Sequence, residues 1–243
     1  MGNRFDTQDK LITATRRIII DEGVEATNLE HICKVAGFSR GAFYSNFSSK
    51  DSLLATLAED EYAALIDRLR DTVSDWASRP QLTSPNDEED SLLMENLLYE
   101  ALDAIGVDKA LYVVHSELLM RSIRDPEWAE RLLGINLEFV DELGRVLEWI
   151  LQAAGRELTH PLRAMTHSII GIVMRAAGVA AWRESTYNHA AAKNPCRQAP
   201  AETGDSHVSV RDSSAREILD VVLQVLYASS RPKLAGDTVD PSA

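Results

Sequence analysis

Apolar residues recur at helical spacing along most of the chain, and this pattern predicts a protein built almost entirely of helices. Polar stretches at 78–90 and 184–212 interrupt the pattern and are predicted to be loops, the second of them mobile. A chain tail after Ser230 is predicted to be disordered. The predicted helices cover residues 6–22, 49–78, 91–105, 108–124, 126–154 and 161–183, and a last one follows the capping pair of Ser214 and Glu217. The fold class expected from this pattern is all-α.

The segment 27–50 predicts two short helices joined by a tight turn. Thr27 and Glu30 have the spacing of a capping box at the start of the first helix. Gly37 stands where a helix ends in a left-handed residue, a conformation that glycine adopts without steric cost. Ser39 is a good N-cap for the second helix.

The second short helix has few bulky apolar side chains apart from Phe43 and Phe47, which lie four residues apart and can anchor it to the core. Its other faces carry small residues or hydrogen-bond donors, which suits a helix that enters the major groove of DNA. Ser48 and Asp51 form a further capping pair. Lys50 lies in the first turn of the helix that follows, where its charge opposes the helix dipole, and a nearby phosphate would explain it.

In order and spacing, these residues resemble the DNA-binding domain of the tetracycline-repressor (TetR) family of bacterial regulators. The matching residues are Ile19, Ile20, Gly23, Thr27, Ile32, Ala36, Gly37, Ser39, Arg40, Gly41, Phe43, Tyr44, Phe47, Lys50, Asp51, Leu53 and Leu54. The resemblance implies a three-helix helix-turn-helix domain over residues 1–50 and a larger helical domain for ligand binding and dimerisation over 51–231. Residues 232–243 would be the disordered tail.

The resemblance also implies a role for individual residues. Thr27, Tyr44 and Lys50 match positions that hold phosphates. Arg40, Ala42 and Ser45 match positions that face bases, with Ser39, Gly41 and Asn46 beside them. Arg40 is the residue expected to read sequence, because a guanidinium can pair twice with a guanine edge. Asn46 departs from the bulkier aromatic residue or histidine common at its position.

The net charge of −13 is unevenly distributed along the 243 residues. Residues 1–58 contain seven basic and seven acidic side chains, so the whole excess of acid lies in the rest of the chain. We therefore expect the acidic part to repel the duplex and to weaken non-specific binding.

Cysteine use and hydropathy indicate a cytoplasmic protein. Cys33 lies on the buried face of a helix and Cys196 in a polar loop, so a structural disulfide between them is not expected. The N-terminus lacks the apolar core of a signal peptide. The most apolar run, 169–174, is too short to span a bilayer, and no membrane partner is expected.

The last two predicted helices are expected to form a homodimer interface. Gly171 and Gly178 lie on one face and permit close approach of another helix, and Ile218, Val222 and Val225 form one side of the last helix. Two reading helices on a two-fold axis predict a palindromic operator in double-stranded DNA. Ordinary buried helices of a monomer are the alternative.

The resemblance implies an unidentified small-molecule effector bound by the larger domain. Candidate contacts are Tyr112, His115, Phe139, Trp149, Met165 and Met174. Residues of these types are more often plain core, so a buried structural role is the alternative for each.

The function predicted is a transcriptional repressor released from its operator when the effector binds. Alternatives are an activator of the same fold, or a helical ligand-binding or interaction protein without DNA-binding activity. No HExxH, GxSxG or phosphate-binding glycine loop occurs in the sequence, and no Cys/His spacing for a metal. Neither enzymatic activity, a metal site nor a cofactor is predicted.

Overall fold

The computed structural model describes residues 4–79, 87–193 and 218–233. The helices are α1 (Arg4–Glu22), α2 (Leu29–Ala36), α3 (Arg40–Tyr44), α4 (Lys50–Ser78), α5 (Asp87–Ile105), α6 (Lys109–Arg124), α7 (Pro126–Ala153), α8 (Leu162–Lys193) and the described part of α9 (Ile218–Ala228). A single 3₁₀ turn, Val24–Ala26, connects α1 to α2. The prediction of a helical fold is confirmed.

The chain divides into two compact units. The first combines Met1–Asp67 with Asp108–Phe139, and the second combines Arg68–Val107 with Val140–Ala243. Helices α4 and α7 each contribute residues to both units. The segment 1–50, predicted as a domain, lies wholly within the first unit, which also includes α6.

In the first unit α1 contacts both α2 and α6, and α2 contacts α3. The contact surface is apolar because helical periodicity brings Leu11, Ile18 and Ile19 of α1 to one side, where all three are buried. Ile32 of α2 and Phe43 of α3 are completely buried. Two short helices that could not persist alone are thus held by tertiary packing.

Two predicted helix caps are displaced by one residue. The N-cap of α2 is Asn28, whose side chain accepts a hydrogen bond from the amide of His31, and Thr27 is not the cap. Ser49 and Ser52 cap the start of α4 reciprocally, in place of Ser48 and Asp51. Both sequence windows offer adjacent residues with capping side chains, so the spacing alone could not choose between neighbouring registers.

Two close contacts in the second unit involve aromatic and small residues. The rings of Trp76 and Trp149 lie 5.2 Å apart, and Trp76 is almost completely buried. Its indole nitrogen donates to Glu100 at 2.8 Å, which satisfies the polar atom of a buried aromatic residue. A Cβ at Gly144 would come within 3.3 Å of the Thr166 hydroxyl, so this position favours glycine.

A small antiparallel sheet was not predicted. Gly155, with a φ of +62°, ends α7, and β1 (Arg156–Leu158) follows at once. It pairs with β2 (Ser230–Pro232), with Glu157 opposite Arg231. The prediction of a disordered tail after Ser230, or from residue 232, is therefore wrong for Arg231 and Pro232 of β2; residues 234–243 lie outside the described part.

The loop predictions need further correction. Helix α8 continues to Lys193, ten residues into the segment predicted as a mobile loop, and α5 already begins at Asp87. Residues 194–212, most of the 78–90 loop and the Ser214–Glu217 cap lie outside the described residues.

Helix α8 is longer and more apolar than the run at 169–174 suggested. By length and composition alone, Leu162–Tyr187 would suffice to cross a membrane, a test that core helices of soluble proteins also pass. One row of it, containing Met165, Ile169 and Val173, is buried within the chain.

Candidate nucleic-acid interface

The turn between α2 and α3 has the geometry that the sequence predicts. Gly37 is left-handed with a φ of +74°, and the Phe38 amide donates to the carbonyl of Cys33 at 2.9 Å. The Ser39 hydroxyl accepts from the amide of Ala42 at 3.2 Å and caps α3. These local bonds fix the angle at which α3 leaves α2.

Helix α3 is held by its aromatic anchors, and its Arg40 and Tyr44 side chains remain exposed. Phe43 is completely buried and Phe47 nearly so, with ring centroids 5.8 Å apart. The Tyr44 side chain meets the Phe43 ring edge-on and remains 60 % exposed. Arg40, the first residue of α3, has a side chain that is 64 % exposed.

Polar groups at the end of α3 bond to the helix itself. The Ser45 hydroxyl donates to the carbonyl of Gly41 at 2.9 Å, and the Asn46 amide donates to the carbonyl of Ala42 at 2.8 Å. The side-chain oxygen of Asn46 is buried and has no hydrogen-bond partner in the described part of the chain. This arrangement makes Asn46 a structural cap of α3 as well as a candidate contact.

The predicted phosphate contacts differ in their exposure. Tyr44 is exposed and Lys50 is half-buried at the first position of α4. Thr27 has no exposed surface, and its hydroxyl donates to the carbonyl of Val24. The side chain of Thr27 therefore supports the turn before α2 and is not available to a phosphate in this conformation.

The guanidinium of Arg40 faces a carboxylate of the preceding helix. Its Nη2 lies 3.4 Å from Oε2 of Glu30, a residue in the first turn of α2. Burial raises the pKa of the nearby Cys33 thiol, and the charge of Arg40 acts in the opposite direction. Sequence reasoning did not single out Glu30 beyond its capping pattern, because the pairing depends on the angle between the two helices.

Residues 11–57, which include all of α2 and α3, match the family described as bacterial regulatory proteins, tetR family. Over these residues the chain is similar to regulators of that family. Its match to YerO, an uncharacterised HTH-type transcriptional regulator of Bacillus subtilis, is 28 % identical over 75 residues. That match covers 31 % of this chain and 26 % of YerO, so the sequence similarity is confined to about a quarter of the relative.

Solved structures extend the similarity of fold over almost the whole chain. A transcriptional regulator from Rhodococcus sp. Rha1 has a TM-score of 0.59 at 16 % identity, covering 93 % of this chain and 98 % of that one. FadR from Bacillus subtilis, in complex with stearoyl-CoA, has a TM-score of 0.55 at 17 % identity, covering 91 % and 98 %. At these identities the similarity shows the fold alone.

Two of the predicted effector contacts meet around a tyrosine in the first unit. Nδ1 of His115 lies 3.1 Å from the Tyr62 hydroxyl, which also accepts from the Asn136 amide at 3.1 Å. The Phe139 ring lies 5.8 Å from that of Tyr62. Burial lowers the pKa of His115 and raises that of Tyr62, so both groups are neutral near pH 7.

Tyr62 and Asn136 were not among the predicted contacts. Tyr62 belongs to the buried row of α4 and is only 4 % exposed. A tyrosine within an apolar row needs a hydrogen-bond partner, and this was the signal available in the sequence. Its partners lie 53 and 74 residues away, so the sequence could not identify them.

The other predicted effector contacts are distributed over both units. Tyr112 is half-buried in the first unit. Trp149, Met165 and Met174 belong to the second unit, where Met165 is buried and Trp149 packs on Trp76.

The residues predicted to form the dimer interface also differ in burial. Val222 is completely buried within its own chain and is therefore excluded from an interface with another chain. Gly171 is exposed, with no atom within 4 Å of a Cβ placed on it. Gly178, Ile218 and Val225 are half-buried. The large exposed apolar residues of α8 and α9 are Trp182, Tyr187 and Val221, which the periodicity did not single out.

Proposed function

We propose that this protein is a sequence-specific DNA-binding regulator that uses α3 to read a palindromic operator in the major groove. The observation that carries the proposal is the anchored, outward-facing α3. Phe43 fixes the helix while Arg40 and Tyr44 remain exposed on it. A buried anchor with exposed donors is what a reading helix requires, because its side chains must reach base edges without unfolding.

Individual roles follow from exposure and chemistry. Arg40 reads a guanine edge, with Ser39, Gly41, Ala42 and Ser45 lining the same approach. Tyr44 and Lys50 contact phosphates, which set the register of the protein on the duplex. Asn46 serves first as a helix cap, and Thr27 supports the turn before α2.

The regulator functions as a homodimer. Its interface includes the exposed surface of α8 around Gly171, together with Trp182 and Val221. Exposed tryptophan is unusual on a monomer surface and common in interfaces. Two-fold symmetry then places two copies of α3 on successive half-sites.

A small-molecule effector releases the protein from its operator, which makes it a repressor. In the first unit, Tyr62, His115, Asn136 and Phe139 combine an aromatic surface with a few oriented polar groups, as ligand sites do. FadR, a solved structure of the same fold, holds stearoyl-CoA. An effector that binds better to the form with low DNA affinity would shift the population away from the operator.

The decisive experiment is selection of duplexes from a random pool by the purified protein at two salt concentrations. An enriched palindrome whose binding weakens with salt supports the proposal. No enrichment at either concentration contradicts it and favours a helical ligand-binding or interaction protein. A reporter that carries the selected operator downstream of, and then upstream of, a promoter distinguishes a repressor from an activator.

A further inference from the structure

We propose that Glu30 is a specificity-determining residue, which holds Arg40 for base reading and opposes its use as a phosphate contact. The inference rests on the proposed function, since it concerns how α3 discriminates one DNA sequence from another. It assigns a role to an acidic side chain on a surface that must approach a polyanion.

The two side chains form a pair at the outer edge of the helix-turn-helix. Glu30 is 81 % and Arg40 64 % exposed, and Nη2 of Arg40 lies 3.4 Å from Oε2 of Glu30. The guanidinium therefore extends back along α2, a direction consistent with its effect on the pKa of Cys33 one turn further along that helix. The contact joins the first turn of α2 to the first residue of α3.

Stability of the free protein does not account for this pair. Ion pairs between exposed side chains contribute little to folding, because water screens both charges and ordering the side chains costs entropy. The pair gains importance when DNA covers the surface and removes that water.

The carboxylate affects two kinds of DNA contact differently. A guanidinium has five N–H donors, so Arg40 can donate to guanine O6 and N7 while it keeps a bond to Glu30. A phosphate is itself an anion, and Glu30 can only accept hydrogen bonds. When Arg40 turns to a phosphate, it leaves the Glu30 carboxylate unpaired beside the DNA backbone, which is unfavourable. Because phosphate contacts are made with any sequence, Glu30 weakens non-specific binding more than specific binding.

The test compares binding of the selected duplex with binding of a scrambled duplex of equal length and composition. For Glu30→Gln, we expect the scrambled duplex to bind about two- to fivefold more tightly, the range typical of an exposed charge pair. The selected duplex should gain less, so the specificity ratio falls. Glu25→Gln is the matched control: it removes the same charge from another exposed residue, five positions earlier.

A second variant tests whether the effect passes through Arg40. In an Arg40→Ala background, Glu30→Gln should no longer change the specificity ratio, since no guanidinium remains to be held. Thermal unfolding of each variant verifies that the helix-turn-helix remains folded.

Three results would overturn the inference. The first is an unchanged ratio in Glu30→Gln, the second an effect equal to that of Glu25→Gln, and the third a fall in the ratio that persists without Arg40. If the wild-type protein itself fails to distinguish the two duplexes, the proposed function fails and the inference with it. If the wild type discriminates and Glu30→Gln does not reduce its discrimination, the inference alone fails.

Discussion

Two groups of polar side chains in the first unit differ in their exposure to solvent and in their hydrogen bonding. On α3, Arg40 and Tyr44 are exposed. Around the buried Tyr62, the polar groups bond to each other, with the half-buried His115 and Asn136 each 3.1 Å from the tyrosine hydroxyl. The first group is open to a partner outside the chain, whereas the hydrogen bonds of the second group are made within the chain.

The difference shows which substitutions test function and which test folding. A buried donor or acceptor that loses its partner keeps its full desolvation cost, so changes around Tyr62 should be measured in stability. An exposed donor on α3 is solvated in the folded and in the unfolded protein, so changes there should be measured in DNA affinity.

The largest effect is expected for Arg40→Ala. The substitution removes the bidentate base contact proposed for Arg40, and loss of such a contact costs about 1–3 kcal/mol of discrimination in each half-site. Binding to the selected operator should weaken strongly, and substitution of the contacted base pair should no longer matter. Binding measurements with operator variants at fixed salt would show this.

Arg17→Ala provides the matched control for charge. Arg17 is an exposed arginine of α1, with a side chain that is 76 % exposed and 3.5 Å from Asp21. Arg17→Ala should weaken binding to the operator and binding to non-specific DNA to a similar, small extent. If Arg40→Ala also weakens all sequences equally, Arg40 is a phosphate contact and the assignment of base reading is incorrect.

Replacing a tyrosine by phenylalanine in each group tests the difference between them directly. Tyr62→Phe leaves Nδ1 of His115 and the amide of Asn136 without their shared partner, and should lower the free energy of unfolding by about 1–3 kcal/mol. Tyr44→Phe removes an exposed hydroxyl, so stability should change by less than about 0.5 kcal/mol while operator binding weakens. Chemical denaturation of both variants measures their free energy of unfolding, and DNA titration measures their binding to the operator. A large stability loss in Tyr44→Phe would contradict the contrast.

The pH dependence of stability gives a further test of the group around Tyr62. Burial lowers the pKa of His115 below its ordinary value of 6.5, so the unfolded chain takes up this proton at a higher pH than the folded protein does. The contribution of the neutral imidazole is therefore complete above about pH 6.5 and is lost as the pH falls below it, at up to about 1.4 kcal/mol per pH unit.

His115→Asn isolates this contribution, because the asparagine oxygen can replace Nδ1 as an acceptor and does not titrate. The variant should lose less stability than the wild type between about pH 7.5 and pH 5.5, as followed by thermal unfolding. Equal losses in the two proteins would assign the pH dependence to other groups.

The sequence predicted the exposed group well and the buried group poorly, for a physical reason. The glycine turn at Gly37, the Ser39 cap and the Phe43 anchor depend on residues within a few positions of each other, so spacing identifies them. The partners of Tyr62 come from two other helices, and no local pattern specifies which residues meet. The pairing of Glu30 with Arg40, ten residues apart, lies between these cases.

The same reason explains the errors in the second unit. The strand Arg156–Leu158 is too short to show a period of its own, and it exists because Ser230–Pro232 pairs with it from more than 70 residues away. Val222 was assigned to a dimer interface because an apolar helix face does not reveal whether its neighbour belongs to the same chain. Structure places that side chain in its own core.

The smallest effect, and the one that separates positioning from reading, is expected for Lys50→Gln. Lys50 begins α4 directly after Ser49, which caps the helix together with Ser52. A phosphate at this helix start would meet both the lysine charge and the positive end of the dipole. Loss of the lysine should weaken binding to all sequences alike and reduce the slope of log K against log salt by about 1 per protomer, with the specificity ratio unchanged.

Lys34→Gln, on the exposed side of α2, removes the same charge as a control. If Lys50→Gln changes the preference for one base pair, the lysine reads sequence, and the division between positioning by α4 and reading by α3 is wrong.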